Sequence, residues 1–286
     1  MRKKVIISAL MILSVVTVSA RSISYQIYDS VKVVRLLSEA QHKPRQTNFP
    51  LFFAMKFIGV PYVAHTLDGS SSEHLIVNLR QLDCTTLIEN VTALCLCVYH
   101  RTYSFRAFCT NLTLVRYRNG FENGYASRLH YFSEWISDGK KKETVQELQS
   151  TAAPFTAEQK INVNFMSTHP DAYYALRNDD ALTAQIADVE KQLSGRVVRY
   201  IPKTIIRKND ESLSCIMDGD ILAIVTSKKG LDVAHLGLAK RHSDGKLHLL
   251  NASMTRKRVV DEDTTLADYL DAHPTFIGIR VIRITK

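Results

Sequence analysis

The hydrophobic pattern of this chain changes period once along its length, and that change limits what it can fold into. Up to about residue 116 the apolar positions recur every three or four residues. Ile27, Val31, Val34 and Leu37 do so in 25–40, and Leu87, Val91, Leu94 and Val98 do so after Cys84. Such spacing gathers them on one face of a helix. From residue 220 the apolar runs are short and alternating or β-branched: 220–226, 233–240, 246–251 and 276–284. Asp244-Gly245 between two of these runs is a hairpin-turn signal. Helices followed by an antiparallel sheet predict an α+β fold. Further helices are expected over 49–57, 104–116 and 179–194. Residues 59–64 read as a turn leading into an extended piece, and 67–72 as a Gly/Ser loop. The stretch between is mixed, with an aromatic-rich 129–136. No Pro-, Gly- or Ser-rich linker divides the 286 residues. A single core can serve such a length, so one domain is expected over 21–286.

The first twenty residues, MRKKVIISALMILSVVTVSA, have a different character. A basic start precedes an uncharged, mostly apolar stretch over 5–18, and Val18-Ser19-Ala20 is a small-residue cleavage pattern. This is the layout of a secretory signal peptide over 1–20. The apolar stretch is shorter than the roughly 20 residues a spanning helix needs. The expectation is an exported protein, periplasmic or secreted, with no membrane span after cleavage. The net charge is +9, or +6 without Arg2, Lys3 and Lys4. A positive field favours anionic ligands. Export turns that preference away from nucleic acid and toward anionic cell-wall peptides, while the same charge would also serve solubility alone.

Three of the five cysteines lie in LDCTTLIENVTALCLCVYH, residues 82–100. An odd count leaves at least one thiol over unless pairing is intermolecular. Cys95 and Cys97 sit in an apolar run and read as core, with a disulfide to Cys109 or Cys215 open to them in an oxidising compartment. C-x-C without a second ligand pair, and histidines without H-x-x-x-H spacing, give no reason to expect a metal. Cys84 is set apart by its neighbours. Asp83, Thr85 and Thr86 are residues of a helix start, and a thiol at a helix N-terminus has its pKa lowered. A nucleophilic Cys also needs a His base and a group that orients the imidazole. His235 opens the alternating run AHLGLAK, and Asn251 lies on the run that returns after Asp244-Gly245. A hairpin would bring the two together, with Asn251 accepting from the imidazole N–H. The plainer readings are a buried structural Cys and an ordinary strand His.

In order along the chain stand FIGVPYVAHTLD, LRQLDCTTLIENVTAL, GDILAIVT and HLGLAKRHSDGKLHLLNAS. This series resembles the NlpC-type papain-like cell-wall cysteine hydrolases, and most closely their N-acetylmuramoyl-L-alanine amidase-like branch. That branch carries D-C-T-T in place of the superfamily's usual D-C-S-G. It also has a characteristic middle segment, here VRYRNG, GYASRLHYFSEWI and INVNFMSTHPDAYYAL, within a family-specific insertion over about 117–210. The similarity covers most of 30–284.

The resemblance implies a papain-like fold, with helices packed on a small antiparallel sheet and the catalytic Cys at a helix N-terminus. It implies a peptidoglycan hydrolase that cuts the lactyl-amide bond between N-acetylmuramic acid, in plain or anhydro form, and L-Ala of muropeptides, with no cofactor. By position Cys84 is then the nucleophile, His235 the base and Asn251 the third group, where many superfamily members have His. Tyr62 falls where the superfamily has a Tyr that supports the oxyanion. In the middle segment Arg116, Arg118 and Arg128 can pair with stem-peptide carboxylates. Tyr125, Tyr131 and Trp135 offer flat faces, and His130 stands among them. Two rival functions follow from the same residues: a γ-D-glutamyl-diamino acid endopeptidase, and an exported wall-binding protein without activity.

Overall fold

The computed structural model describes residues 23–68, 72–208 and 211–285. The expected signal peptide over 1–20 lies outside them. The helices are α1 (Ile27–Gln41), α2 (Phe49–Met55), α3 (Cys84–Tyr99), α4 (Phe105–Arg116), α5 (Phe132–Lys141), α6 (Phe165–Thr168), α7 (Asp180–Leu193), α8 (Lys203–Lys208) and α9 (Leu266–Asp271). The strands are β1 (Ile23–Tyr25), β2 (Leu75–Val77), β3 (Val145–Leu148), β4 (Ala157–Lys160), β5 (Val197–Pro202), β6 (Ile221–Thr226), β7 (Val233–Arg241), β8 (Leu247–Ser253), β9 (Arg258–Thr265) and β10 (Phe276–Ile284). No helix among the described residues is long and apolar enough to cross a membrane.

The fold is α+β. Its main sheet runs β4-β5-β10-β6-β7-β8-β9, with β3 also on β10, and every pairing in it is antiparallel. Period-two alternation divides its side chains between two apolar layers. Ile221, Ala223, Leu236, Leu238, Leu250 and Ala252 face the layer that contains α3. Leu222, Ile224, Ala239, Leu247 and Leu249 pack with Leu266 and Leu270 of α9. The middle segment has its own cluster, including Tyr131, Ile161, Met166 and Ile186. It is also joined to the sheet, since β3 and β5 both pair with β10. Its strands, and β9, carry too little apolar alternation to be seen in the sequence. β4 reads AEQK and β9 reads RVVDEDTT.

Helix α3 is the buried element of the first layer. Every residue from Thr86 to Val98 is buried, as expected of a helix that is apolar nearly all round. Asp83 sets its start. The Asp83 carboxylate accepts the Thr86 N–H at 2.8 Å, and the Asp83 N–H donates to the Thr86 hydroxyl at 2.9 Å. This reciprocal capping box satisfies two otherwise orphaned donors. Within the helix Cys95 and Cys97 are core residues. All five cysteines are free thiols, so the disulfide alternatives drop out, and Cys97 Sγ instead accepts from Asn111 of α4 at 3.2 Å.

Arg116 ends α4 and is among the largest fully buried side chains. Its Nε donates to Glu89 Oε2 of α3 at 2.8 Å, and another guanidinium nitrogen donates to the Ile76 carbonyl of β2 at 2.6 Å. The expectation that Arg116 pairs with a substrate carboxylate is therefore corrected. The carboxylate it pairs with is the protein's own, and the pair ties α3, α4 and β2 together.

Removing one member of a buried ion pair leaves an uncompensated charge, at a cost of about 3–5 kcal/mol. Arg116→Met should lower stability by that order, and Arg116→Met with Glu89→Leu should recover much of the loss. Urea unfolding of both variants checks this. A double variant no more stable than the single would refute the brace.

Candidate active site

Cys84 is the first residue of α3, half-buried where the helix meets the sheet. The Leu236 N–H of β7 and the N–H and hydroxyl of Thr85 lie near enough to its sulfur to favour the charged form. Leu236 directly follows His235, so the thiol stands near the start of the strand that carries the imidazole. A β-bulge between the β6–β7 pairs at Ile224 and Val225 lies at the same place. Bulges re-aim side chains and interrupt ladder pairing.

His235 Nε2 lies 3.0 Å from Asn251 Oδ1. His235 and Asn251 thus meet across the β7–β8 hairpin, as its register dictates. Asn251 is fully buried, and its amide nitrogen lies 3.2 Å from Glu262 Oε1 of β9. The Tyr269 ring of α9 stacks on His235 at 6.2 Å between centroids, and Tyr269 also senses the charge of Cys84. Tyr62 lies close enough to Cys84 and Asp83 for both to act on its hydroxyl. Burial first, then Cys84 and Asp83, push that hydroxyl up to about 12, so it stays a proton donor. The structure therefore gathers Cys84, His235, Asn251 and Tyr62 in one place, and adds Asp83, Glu262 and Tyr269.

The thiol's protonation differs from the sequence-based expectation. A helix N-terminus lowers a thiol pKa, yet here burial first and the Asp83 carboxylate second push Cys84 up to about 12. The donors near its sulfur only partly oppose this. His235 moves the other way: burial, foremost, holds its imidazole below the ordinary 6.5, against the opposing pull of Asn251. At neutral pH the resting pair is a thiol beside a neutral imidazole. That state suits a base which takes the proton during attack.

The middle-segment residues divide. Arg128 and Tyr125 line the same cavity, of about 760 Å³, with Asp68, Glu73, Tyr174 and Arg177. Cys84 and His235 are not in its wall. Arg128 is buried over the Tyr125 ring at 4.7 Å, bonded to Asp68 at 3.1 Å and Glu73 at 3.0 Å, while its Nε has no partner. Tyr131 and His130 are internal braces, which corrects their expected substrate contacts, while Arg118 is 33% exposed and keeps one nitrogen without a partner. Arg118 donates to Glu134 at 2.6 Å and to the Ala126 carbonyl at 3.0 Å. Tyr131 is buried and its hydroxyl donates to Glu190 at 2.6 Å. His130 lies 2.9 Å from the Tyr125 carbonyl through Nε2, and burial, then the Arg128 charge, drives its imidazole down to about 3.

Sequence reasoning passed over Glu262 and Tyr269. Glu262 stands in VVDEDTT, an acidic run that reads as a solvated face. Tyr269 stands in a helix of six residues, too short to leave a periodic signal. The only cue for Glu262 was the pair of valines before it, which marks a possible strand.

With this geometry in hand, comparison with known proteins gives a consistent result. The AmiA-like, N-acetylmuramoyl-L-alanine amidase-like family matches residues 52–279. A crystal structure of an N-acetylmuramoyl-L-alanine amidase from Bacteroides uniformis ATCC 8492 shares 39% identity over 83% of this chain and 98% of that one, with a TM-score of 0.78. A Bacteroides fragilis protein provisionally named a xylanase shares 39% identity over 82% of this chain and 100% of that one, with a TM-score of 0.77. A Legionella pneumophila protein at 20% identity, covering 91% of this chain and 95% of that one with a TM-score of 0.68, shares the fold. No curated protein matches the chain.

The His130 shift has a consequence for stability. In the unfolded chain the imidazole titrates near 6.5, and in the folded chain near 3. Between these values the unfolded state binds the extra proton, so stability is fully present above about pH 6.5 and is lost as pH falls toward 3. From pH 7 to 5 the loss from this group should be about 1–2 kcal/mol. His130→Gln, which can still donate to the Tyr125 carbonyl, should flatten that window in urea unfolding. An unchanged pH slope would contradict this assignment.

Proposed function

The chain belongs to the AmiA-like, N-acetylmuramoyl-L-alanine amidase-like family, and from that footing we propose that it is a cysteine-dependent peptidoglycan amidase of papain-like, NlpC-type architecture. Its substrate is a muropeptide, and the bond cut joins the lactyl group of N-acetylmuramic acid to L-Ala. The observation that carries the reading is His235 held by Asn251 at 3.0 Å, on the strand whose next residue, Leu236, presents its N–H toward the Cys84 sulfur. The amidase named among its structural relatives supports the choice of bond.

The mechanism follows from the resting state. His235 Nε2 is engaged by Asn251, which leaves Nδ1 to take the thiol proton as the sulfur attacks the lactyl carbonyl. The Cys84 N–H, in the first turn of α3, has no acceptor within the helix. Together with the Tyr62 hydroxyl it can donate to the oxygen on which negative charge develops, at the positive end of the α3 dipole. The tetrahedral intermediate collapses as His235 gives its proton to the departing L-Ala amine. Water then attacks the thioester with His235 as base, releasing the muramyl carboxylate and restoring the thiol. Every proton moves among the thiol, the imidazole, the leaving amine and water, so no cofactor is required. A glycosidase would instead place two carboxyl groups across a sugar bond, whereas the head of this site is a thiol. Export to the periplasm, through the signal peptide expected over 1–20, would bring the protein to this substrate.

Digestion of a defined muropeptide tests the reading. Wild type should release a peptide that begins with L-Ala, and Cys84→Ala should release none above background. A dipeptide left on the sugar would favour the endopeptidase alternative, and an undiminished Cys84→Ala would end the cysteine mechanism.

The acid limb of kcat/KM gives a second check. His235 must be neutral to act as base, and its pKa lies below the ordinary value. The rate should hold as pH falls to about 6.5 and decline only below it. A limb centred above pH 7 would mean that the His235 imidazole is not held below its ordinary value, and would contradict this assignment.

A further inference from the structure

Beyond the three residues of the proposed site lies a carboxylate with no assigned role, buried against the third of them. Glu262 is 6% exposed although it stands in an acidic run. Its position is made by a bulge. Between the pairs His248↔Thr265 and Leu250↔Asp261, β8 advances two residues while β9 advances four. The surplus residues include Glu262, whose side chain reaches the Asn251 amide. Its other oxygen lies 3.8 Å from the Arg256 guanidinium.

The donor and acceptor pattern around Asn251 is then determined. One end of its amide lies 3.2 Å from Glu262 Oε1 and 3.5 Å from the Leu249 carbonyl. A carboxylate and a carbonyl only accept, so the NH₂ must occupy that end. Its oxygen must therefore face His235, where it lies 3.0 Å from Nε2. An oxygen without a proton can only accept, so Nε2 carries the hydrogen. A neutral imidazole has one N–H, and Nδ1 keeps its lone pair. Were the amide reversed, its NH₂ would face Nε2, the proton would move to Nδ1, and that nitrogen could not take a proton from the thiol.

We propose that Glu262 is a positioning residue that fixes the Asn251 amide and, through it, holds His235 as the Nε2–H tautomer. The inference rests on the cysteine–histidine reading of the site for its catalytic consequence, but the tautomer itself can be observed without substrate. The bulge in β9 brings a charged acceptor to the interior where the strand's alternation alone would have left Asn251 free to turn. Tyr269 closes the other side of the imidazole by stacking on it.

The test uses the full chain with ¹⁵N-labelled histidine. In wild type, long-range ¹H–¹⁵N correlation should show His235 with a protonated Nε2 and a bare Nδ1. Glu262→Leu should shift that ring toward the Nδ1–H tautomer or a mixture. Its kcat should fall by about tenfold or more, against about 10⁴-fold for the wrong tautomer in a serine triad, with KM little changed. Glu262→Gln, which can offer a carbonyl oxygen to Asn251, should restore both the Nε2–H signature and most of the rate, which also controls for misfolding of the leucine variant. An unshifted tautomer in Glu262→Leu overturns the proposal, whatever happens to the rate. So does a shifted tautomer with an unchanged kcat. An active Cys84→Ala would instead sink the cysteine reading and leave the tautomer result to judge Glu262 by itself.

Discussion

The capping box at Asp83 is the interaction on which the site depends. By bonding the Thr86 N–H and hydroxyl it decides which residue begins α3. Cys84 is then the first helical residue, with a free N–H beside its own sulfur. The rest of the helix is buried from Thr86 to Val98, so its axis cannot shift without breaking the core beneath it. A short polar cap therefore sets the register, and a long apolar rod holds it. The same Asp83 carboxylate raises the thiol pKa. One group both places the thiol and, with burial, raises its pKa.

Charge in this protein is largely balanced internally. Arg116 pairs with Glu89, Arg118 with Glu134, Arg128 with Asp68 and Glu73, and Arg280 with Glu147. Three of these arginines lie in or beside the segment whose basic residues suggested anion binding. Their bonds tie α4 to α3 and β2, brace the middle segment against its own α5, and join it to the loop before β2. The net positive charge of the chain is thus a poor guide to where an anionic ligand would sit. Arg118 and Arg128 each keep one unpartnered nitrogen, and Arg128 and Tyr125 share the wall of a cavity of about 760 Å³, where the early expectation retains a structural basis.

Much of the fold was legible. Helices α1, α2, α3, α4 and α7 and strands β6, β7, β8 and β10 each follow from apolar periodicity, because each buries one face or is buried outright. The strands β3, β4, β5 and β9 were not legible. They lie toward the sheet's margins or carry charged residues, and their pairing is held by partners distant in sequence. At the site, Cys84, His235 and Asn251 could be named because a helix-start signal and a hairpin turn are local features. Arg116, Arg118, His130 and Tyr131 could not be told from surface residues, since the carboxylates and carbonyls that engage them come from other elements.

The sequence by itself determined the order of helices and strands, the residue that heads the buried helix and the hairpin that pairs His235 with Asn251. These depend on neighbours within a few residues or on one tight turn. Only the tertiary structure decided the protonation of the thiol and imidazole, the internal pairing of the arginines and the inward turn of Glu262. Each of these depends on burial and on groups tens of residues away. Desolvation and long-range pairing exist only once the chain has closed on itself.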